Sequence, residues 1–238
     1  MMYHHVSSDR CSNDLEIFEQ HLAYISENYT SLFPTFEKLP KKAICLVFDD
    51  GYYDFYKFIY PLLKKYDLKA LLAVVPKYIL DDTDKDDVTR LGFEHNDLFK
   101  EYKNATFCTY KELTEMSKSG HIQVVSHSYS HKNILENHVN VKEELIKSKE
   151  IIEQKLNTEV ESFVYPFGKY NQEILDETMK HYKYSFRIGN AVNHDFHGIN
   201  GVIYRIDGDF LKSPHEIFQF KNMLKFKFKA YIKQLVGN

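Results

Sequence analysis

The pattern that most limits what this chain can fold into is an alternation of short apolar, β-forming runs with segments of helical spacing. Ala43–Phe48, Ala70–Val75, Ile122–Val125 and Glu161–Tyr165 read as strands. Phe55–Tyr66, Tyr110–Ser119, Val141–Leu156 and Gln172–His181 read as the helices among them, the second ended by Gly120. Strands this short and this apolar fit a parallel sheet covered by crossover helices. With 238 residues, no internal repeat and no Pro/Gly/Ser-rich linker, one α/β domain is the economical reading, and (β/α) barrels reach this size undivided.

In such a barrel the chemistry collects where strands end. Asp49-Asp50-Gly51 closes the first run, Ser126-His127-Ser128-Tyr129-Ser130-His131 follows the third, and Tyr165-Pro166 ends the fourth. Two adjacent carboxylates beside two imidazoles four residues apart are what a hydrolytic metal site needs. Asp/His/His ligation leaves coordination positions open, and a leftover carboxylate can serve as base. Neighbouring strand residues point to opposite faces, but at a strand's end a glycine-assisted turn can bring both aspartates into one site. Each motif alone has a plainer explanation: Asp-Asp-Gly is a common turn signal, and most histidine pairs at this spacing bind nothing.

Taken in order, the motifs resemble those of the polysaccharide deacetylases, the family four carbohydrate esterases. Val47-Phe48-Asp49-Asp50-Gly51 is similar to the first motif, Ser126–His131 to the second, and Phe163-Val164-Tyr165-Pro166-Phe167-Gly168-Lys169-Tyr170-Asn171 to the third. The likeness runs from about residue 1 to about residue 210. It implies a distorted (β/α) barrel over residues 1–213, in which Asp50, His127 and His131 bind a divalent metal and Asp49 is the base. The metal is expected to bring a bound water towards a pKa of about 7 for attack on an N-acetyl carbonyl. The backbone N–H of Phe167 would help hold the oxyanion, and Ser128 would steady the histidine loop. Tyr165, Pro166, Phe167 and Gly168 would form a substrate wall, although core packing explains the aromatic pair equally well.

The chain departs from the commonest family pattern twice. No Leu-x-His acid motif follows Arg205. The start, Met2-Tyr3-His4-His5-Val6, instead resembles the permuted subgroup that acts on poly-N-acetylglucosamine, which makes His4 the implied acid, with His5 as backup and His194 or His197 as weaker alternatives. Val164 stands where the third motif usually has a base-orienting arginine, leaving Arg205 or Arg187 to do that work from another strand. The implied reaction is metal-dependent removal of N-acetyl groups from an acetamido-sugar glycan or precursor. Hydrolysis of a non-sugar amide is the alternative within enzymes, and a silent glycan-binding barrel the alternative outside them. Ligand type favours zinc, with cobalt, nickel or iron also suited.

Charge and composition narrow the partners. A net charge of -3 gives no reason to expect nucleic acid. Three cysteines without a CxxC pair, no basic-then-apolar leader and no apolar stretch near the roughly 20 residues of a span lead to the expectation of a cytoplasmic protein, with a peripheral place at the inner membrane face as the variant of that reading. From Pro214 onward, Ile217, Phe220, Leu224, Phe228, Tyr231 and Leu235 recur at helical spacing beside Lys221, Lys225 and Lys229. Residues 214–238 thus read either as a last helix packed on the body or as a basic amphipathic helix meeting an anionic membrane or a glycan-assembly enzyme. The acidic run Asp81–Asp87 lacks calcium-loop spacing and reads as a solvated loop, with cation binding or gating as the minority view.

Overall fold

Seven parallel strands form a nearly closed barrel in the computed structural model, which describes residues 1–236. The strands are β1 (Met2–Tyr3), β4 (Leu46–Phe48), β5 (Ala70–Val74), β6 (Ile122–Ser126), β7 (Ser162–Val164), β8 (Tyr184–Ile188) and β9 (Ile203–Arg205), in that spatial order. Two short strands, β2 (Thr30–Ser31) and β3 (Ala43–Ile44), pair separately. The expected run Ala43–Phe48 is therefore two strands. The ring closes just past β9, where Ile206 accepts from Met2 N–H and Met2 accepts from Gly208 N–H, each at 2.8 Å. β8 and β9 were not marked by the sequence pattern; Arg187 and Arg205 interrupt their apolar character.

The distortion has a definite place. β6 and β7 share a single ladder pair, Ser126 with Phe163, whereas β5 and β6 share five. Inside the barrel Val47, Leu71, Ala73, Val125, Val164, Phe186 and Ile203 form one core cluster. The larger cluster lies between strands and outer helices, among them α1 (Leu15–Asn28), α4 (Tyr110–Lys118), α5 (Ser148–Leu156) and α6 (Gln172–Thr178). Burying both faces of every central strand explains why those strands read as unbroken apolar runs rather than alternating ones.

Two expected helices open with a wide turn. Phe55–Ile59 is a π-helical turn before α2 (Tyr60–Lys65), and Glu143–Lys147 is another before α5. In the first, Tyr60 N–H reaches Phe55, and Pro61 then sits at the start of the α register, where its missing N–H costs little. The short helix α3 (Asp87–Leu91) occupies the connection after β5, capped by Asp86, whose carboxylate accepts from Thr89 N–H.

α7 (Phe220–Val236) packs on the barrel through Phe226 and Ala230. Ile217 belongs to a separate 3-10 turn (Glu216–Phe218) and is buried, so the expected apolar stripe starts at Phe220. The rest of that stripe faces outward: Phe220 is 83% exposed, Leu224 57%, Phe228 63% and Leu235 64%. The last two residues of the 214–238 segment, Gly237 and Asn238, lie outside the described residues. Among the described residues no helix is long and apolar enough to cross a membrane.

Candidate active site

The turn after β4 brings both aspartates to the same end of the barrel. Asp50 adopts φ 69° and Gly51 φ 76°, and a Cβ on Gly51 would stand 2.9 Å from Val74 Cγ1, so this position needs glycine. The carboxylates are buried, at 4% and 3% exposure, yet have different partners. Asp50 Oδ1 lies 3.5 Å from His127 Nε2 and 3.2 Å from His131 Nε2. Asp49 instead takes a two-pronged contact from Arg205, Nη1 to Oδ1 at 2.5 Å and Nη2 to Oδ2 at 2.8 Å. Arg205 is thus the arginine at Asp49, whereas Arg187 stacks over Tyr170 and Tyr204.

The imidazoles are held from behind. His127 Nδ1 lies 2.8 Å from the Val164 carbonyl, at the place where the β6–β7 ladder gives out. That bond fixes the tautomer and turns Nε2 towards Asp50. Phe99 stacks on His131 at 4.8 Å, and Phe167 touches the same ring at 4.8 Å. Ser128 Oγ accepts from His131 N–H at 3.0 Å, and the buried Glu144 accepts from Ser130 N–H at 2.8 Å. Asp50, Ser128, His131 and Phe167 all have positive φ, a concentration of unfavourable backbone at one end of the barrel.

A divalent cation fits this cluster. One ligand atom from each of Asp50, His127 and His131 lies within 4.8 Å of the other two, and Asp50 Oδ1 is buried without a hydrogen-bond partner. An orphaned carboxylate oxygen facing two imidazole nitrogens is costly unless something positive sits between them. Nitrogen and oxygen donors of this kind suit zinc and its neighbours.

His4, at the end of β1, reaches the site from the opposite side. Its Nε2 is 3.9 Å from Asp49 Oδ2, while Nδ1 is 2.6 Å from Asp209 Oδ2 and its backbone N–H donates to Asp209 Oδ1 at 3.0 Å. Burial favours the neutral ring, but the Asp209 hydrogen bond and the nearby carboxylates outweigh it and carry His4 up to about 9. Burial would raise Asp49, yet Arg205 and His127 hold it below the usual carboxylate range. Asp50 is likewise held down by His131 and His127 against its burial. Burial pushes His131 down to about 4, leaving a neutral ring with a free electron pair.

Several expected residues lie elsewhere. His5 is buried, 3.2 Å from Asp54 and stacked on Tyr52, so it is not a substitute acid. His194 and His197 are exposed and paired with Asp195, away from the cluster. Tyr165 is fully buried against Phe163 and Tyr170 and offers no face to a ligand; the alternation at the strand end turns it into the helix-facing core. Pro166 and Gly168 are buried too, and a Cβ on Gly168 would meet Ile188 Cγ2 at 2.8 Å, so these two shape the turn that leaves Phe167 58% exposed at the rim. A cavity of about 260 Å³ is lined by Met1, Cys45, Phe186 and Arg205 among others, and by none of the three cation-binding candidates.

Residues 36–186 match the polysaccharide deacetylase family, well over half of the chain. The chain belongs to this family. It is similar to the YxkH protein of Bacillus subtilis (strain 168), 29% identical over 196 residues, covering 76% of this chain and 60% of that one. It is 28% identical to the poly-beta-1,6-N-acetyl-D-glucosamine N-deacetylase of Escherichia coli (strain K12), covering 60% of this chain and 24% of the relative. The chain thus spans 60% or less of the length of these relatives. Among solved structures it resembles the Streptococcus pyogenes deacetylase PplD in complex with acetate, with TM-score 0.70, 26% identity and 95% and 96% of the two chains covered. IcaB from Ammonifex degensii shares the fold at TM-score 0.69 and 21% identity, over 93% and 94% of the chains.

Proposed function

We propose that this deacetylase-family chain hydrolyses N-acetyl groups on an acetamido-sugar glycan or glycan precursor. The observation that carries the reading is the split between the two aspartates: Asp50 faces His127 and His131, whereas Asp49 is held by Arg205 beside His4. Asp50, His127 and His131 would hold a divalent cation, with zinc favoured by the donor set and cobalt, nickel and iron also suited. When bound, the cation supplies Lewis acidity that polarises the amide carbonyl and acidifies water. Asp49, ionised well below neutral pH, accepts the proton of the attacking water. His4, protonated at neutral pH, donates to the nitrogen of the departing sugar amine, an otherwise poor leaving group. Asp209 orients the His4 ring and stabilises its charge. Phe167, exposed beside His131, offers its backbone N–H to the developing oxyanion and its ring to the sugar.

Acetate release from N-acetylglucosamine oligomers tests this. Release by metal-loaded protein, abolished by Asp49→Asn with metal content unchanged, fits the reading. Release from simple amides but from no acetamido sugar favours the non-sugar amidase, and binding without any release favours a glycan-binding barrel.

A second contact is supported by α7. Its exposed apolar stripe is flanked by Lys221, Lys225 and Lys227, and the helix contains no acidic residue. That charge favours an anionic lipid surface over an assembly enzyme as partner, with the substrate met at the inner membrane face. Co-sedimentation with phosphatidylglycerol vesicles but not with phosphatidylcholine vesicles, lost in Leu224→Glu/Phe228→Glu, is the expected result. Equal binding by parent and variant ends this reading.

A further inference from the structure

The geometry points to a second metal site, formed by His4, Cys11 and Asp209, at which a captured zinc ion switches off the proton donor of the reaction. One ligand atom from each of these residues lies within 4.8 Å of the other two, and all three residues are half-buried. None is a candidate ligand of the Asp50–His127–His131 centre. Thiol, imidazole and carboxylate together form a donor set that selects zinc or cadmium over magnesium or calcium.

The three side chains come from segments already tied to one another. Cys11 accepts from His5 N–H at 3.1 Å through its carbonyl, next to His4. The buried Asn13 gives its side-chain N–H to Gly208 at 2.9 Å and accepts from Leu211 N–H at 2.8 Å, which straps the Cys11 loop to the Asp209 segment. Asp209 holds both the backbone and the ring of His4. Little reorganisation is therefore needed to gather the ligands.

Capture has a definite chemical consequence. Zinc on Nδ1, the nitrogen that faces Asp209, displaces the proton there to solvent, and Cys11 loses its S–H proton likewise. The ring then keeps only an Nε2–H, which is far less acidic than an imidazolium and no longer serves the leaving amine. The binding claim stands on this cluster alone; its inhibitory effect rests on His4 being the acid.

Cobalt titration of the metal-free chain separates the two. The Asp/His/His centre contains no thiolate, so a sulfur-to-cobalt charge-transfer band in the near ultraviolet reports only the second site. The parent is expected to take two equivalents and show the band, and Cys11→Ser to take one without it. A second equivalent of zinc should lower acetate release of the parent by about tenfold or more, and leave Cys11→Ser, whose rate at one equivalent matches the parent, unaffected. Absence of the band from the parent, its persistence in Cys11→Ser, or equal zinc inhibition of both overturns the proposal. One equivalent with a band that Cys11→Ser abolishes sustains this site and instead removes the Asp50–His127–His131 reading.

Discussion

The two sides of the site are built in opposite ways. Asp50, His127 and His131 come from short stretches just past β4 and β6, the two strands that flank β5 in the barrel, and local turns aim them. Asp49, His4, Arg205 and Asp209 depend on pairings across the whole chain: Arg205 lies 156 residues from Asp49, and Asp209 lies 205 from His4. The first side is the proposed ligand cluster, which loop geometry supplies. The second is the proposed proton-transfer pair, whose charges are set by partners that only barrel closure brings near. Metal affinity and proton transfer should therefore fail separately when each side is damaged.

The largest effect is expected on the ligand side. Asp50→Asn or His127→Ala should lose bound metal, measured by elemental analysis after dialysis, together with all acetate release above background. Asp49→Asn should lower kcat by about 10²–10⁴ while retaining metal; parallel loss of metal would dissolve the distinction between the two carboxylates. Asp209→Asn should cost less, about 10–100-fold, taking the effect of lost partners behind histidines as a guide.

The Asp209 variant should also move the pH profile. In the parent, kcat/KM falls as pH rises through the His4 pKa of about 9, or lower with a cation bound, since a nearby positive charge favours the neutral ring. Without Asp209 that limb moves down. The stability of the metal-free protein follows the same group: a raised His4 pKa contributes stability that is fully present below the unfolded value of about 6.5 and is lost as pH rises through about 9. An unshifted limb in Asp209→Asn would remove Asp209 from the account. Smallest of all, Glu144→Ala should leave kcat/KM at saturating metal nearly intact while lowering unfolding stability by about 1–3 kcal/mol, because Ser130 N–H then lacks its buried acceptor.

The same contrast explains what was legible in the sequence. The meeting of Asp50, His127 and His131 could be read because each motif follows an apolar run directly, and the parallel barrel could be read from those runs. Asp209 could not, because β8 and β9 went unmarked. Yet Asp207-Gly208-Asp209 follows β9 as Asp49-Asp50-Gly51 follows β4, so a strand over Ile203–Arg205 would have drawn attention to it. Either Arg187 or Arg205 could have served Asp49 until the register was known. Ladder pairing sets Arg187 opposite Tyr204, and its guanidinium lies over that ring, while Arg205 reaches the carboxylate. Glu144 and Phe99 act through loop packing that no short pattern announces. Tyr165 misled for a physical reason: a strand-end aromatic serves a sugar face and a core equally well, and only the pleat decides which.

Anomalous diffraction from crystals grown with zinc tests the central claim most directly. One strong peak is expected among Asp50 Oδ1, His127 Nε2 and His131 Nε2, with the Asp49 carboxylate outside bonding distance and still clasped by Arg205. Density that recruits Asp49 as a ligand, or no peak among those three side chains, would contradict it.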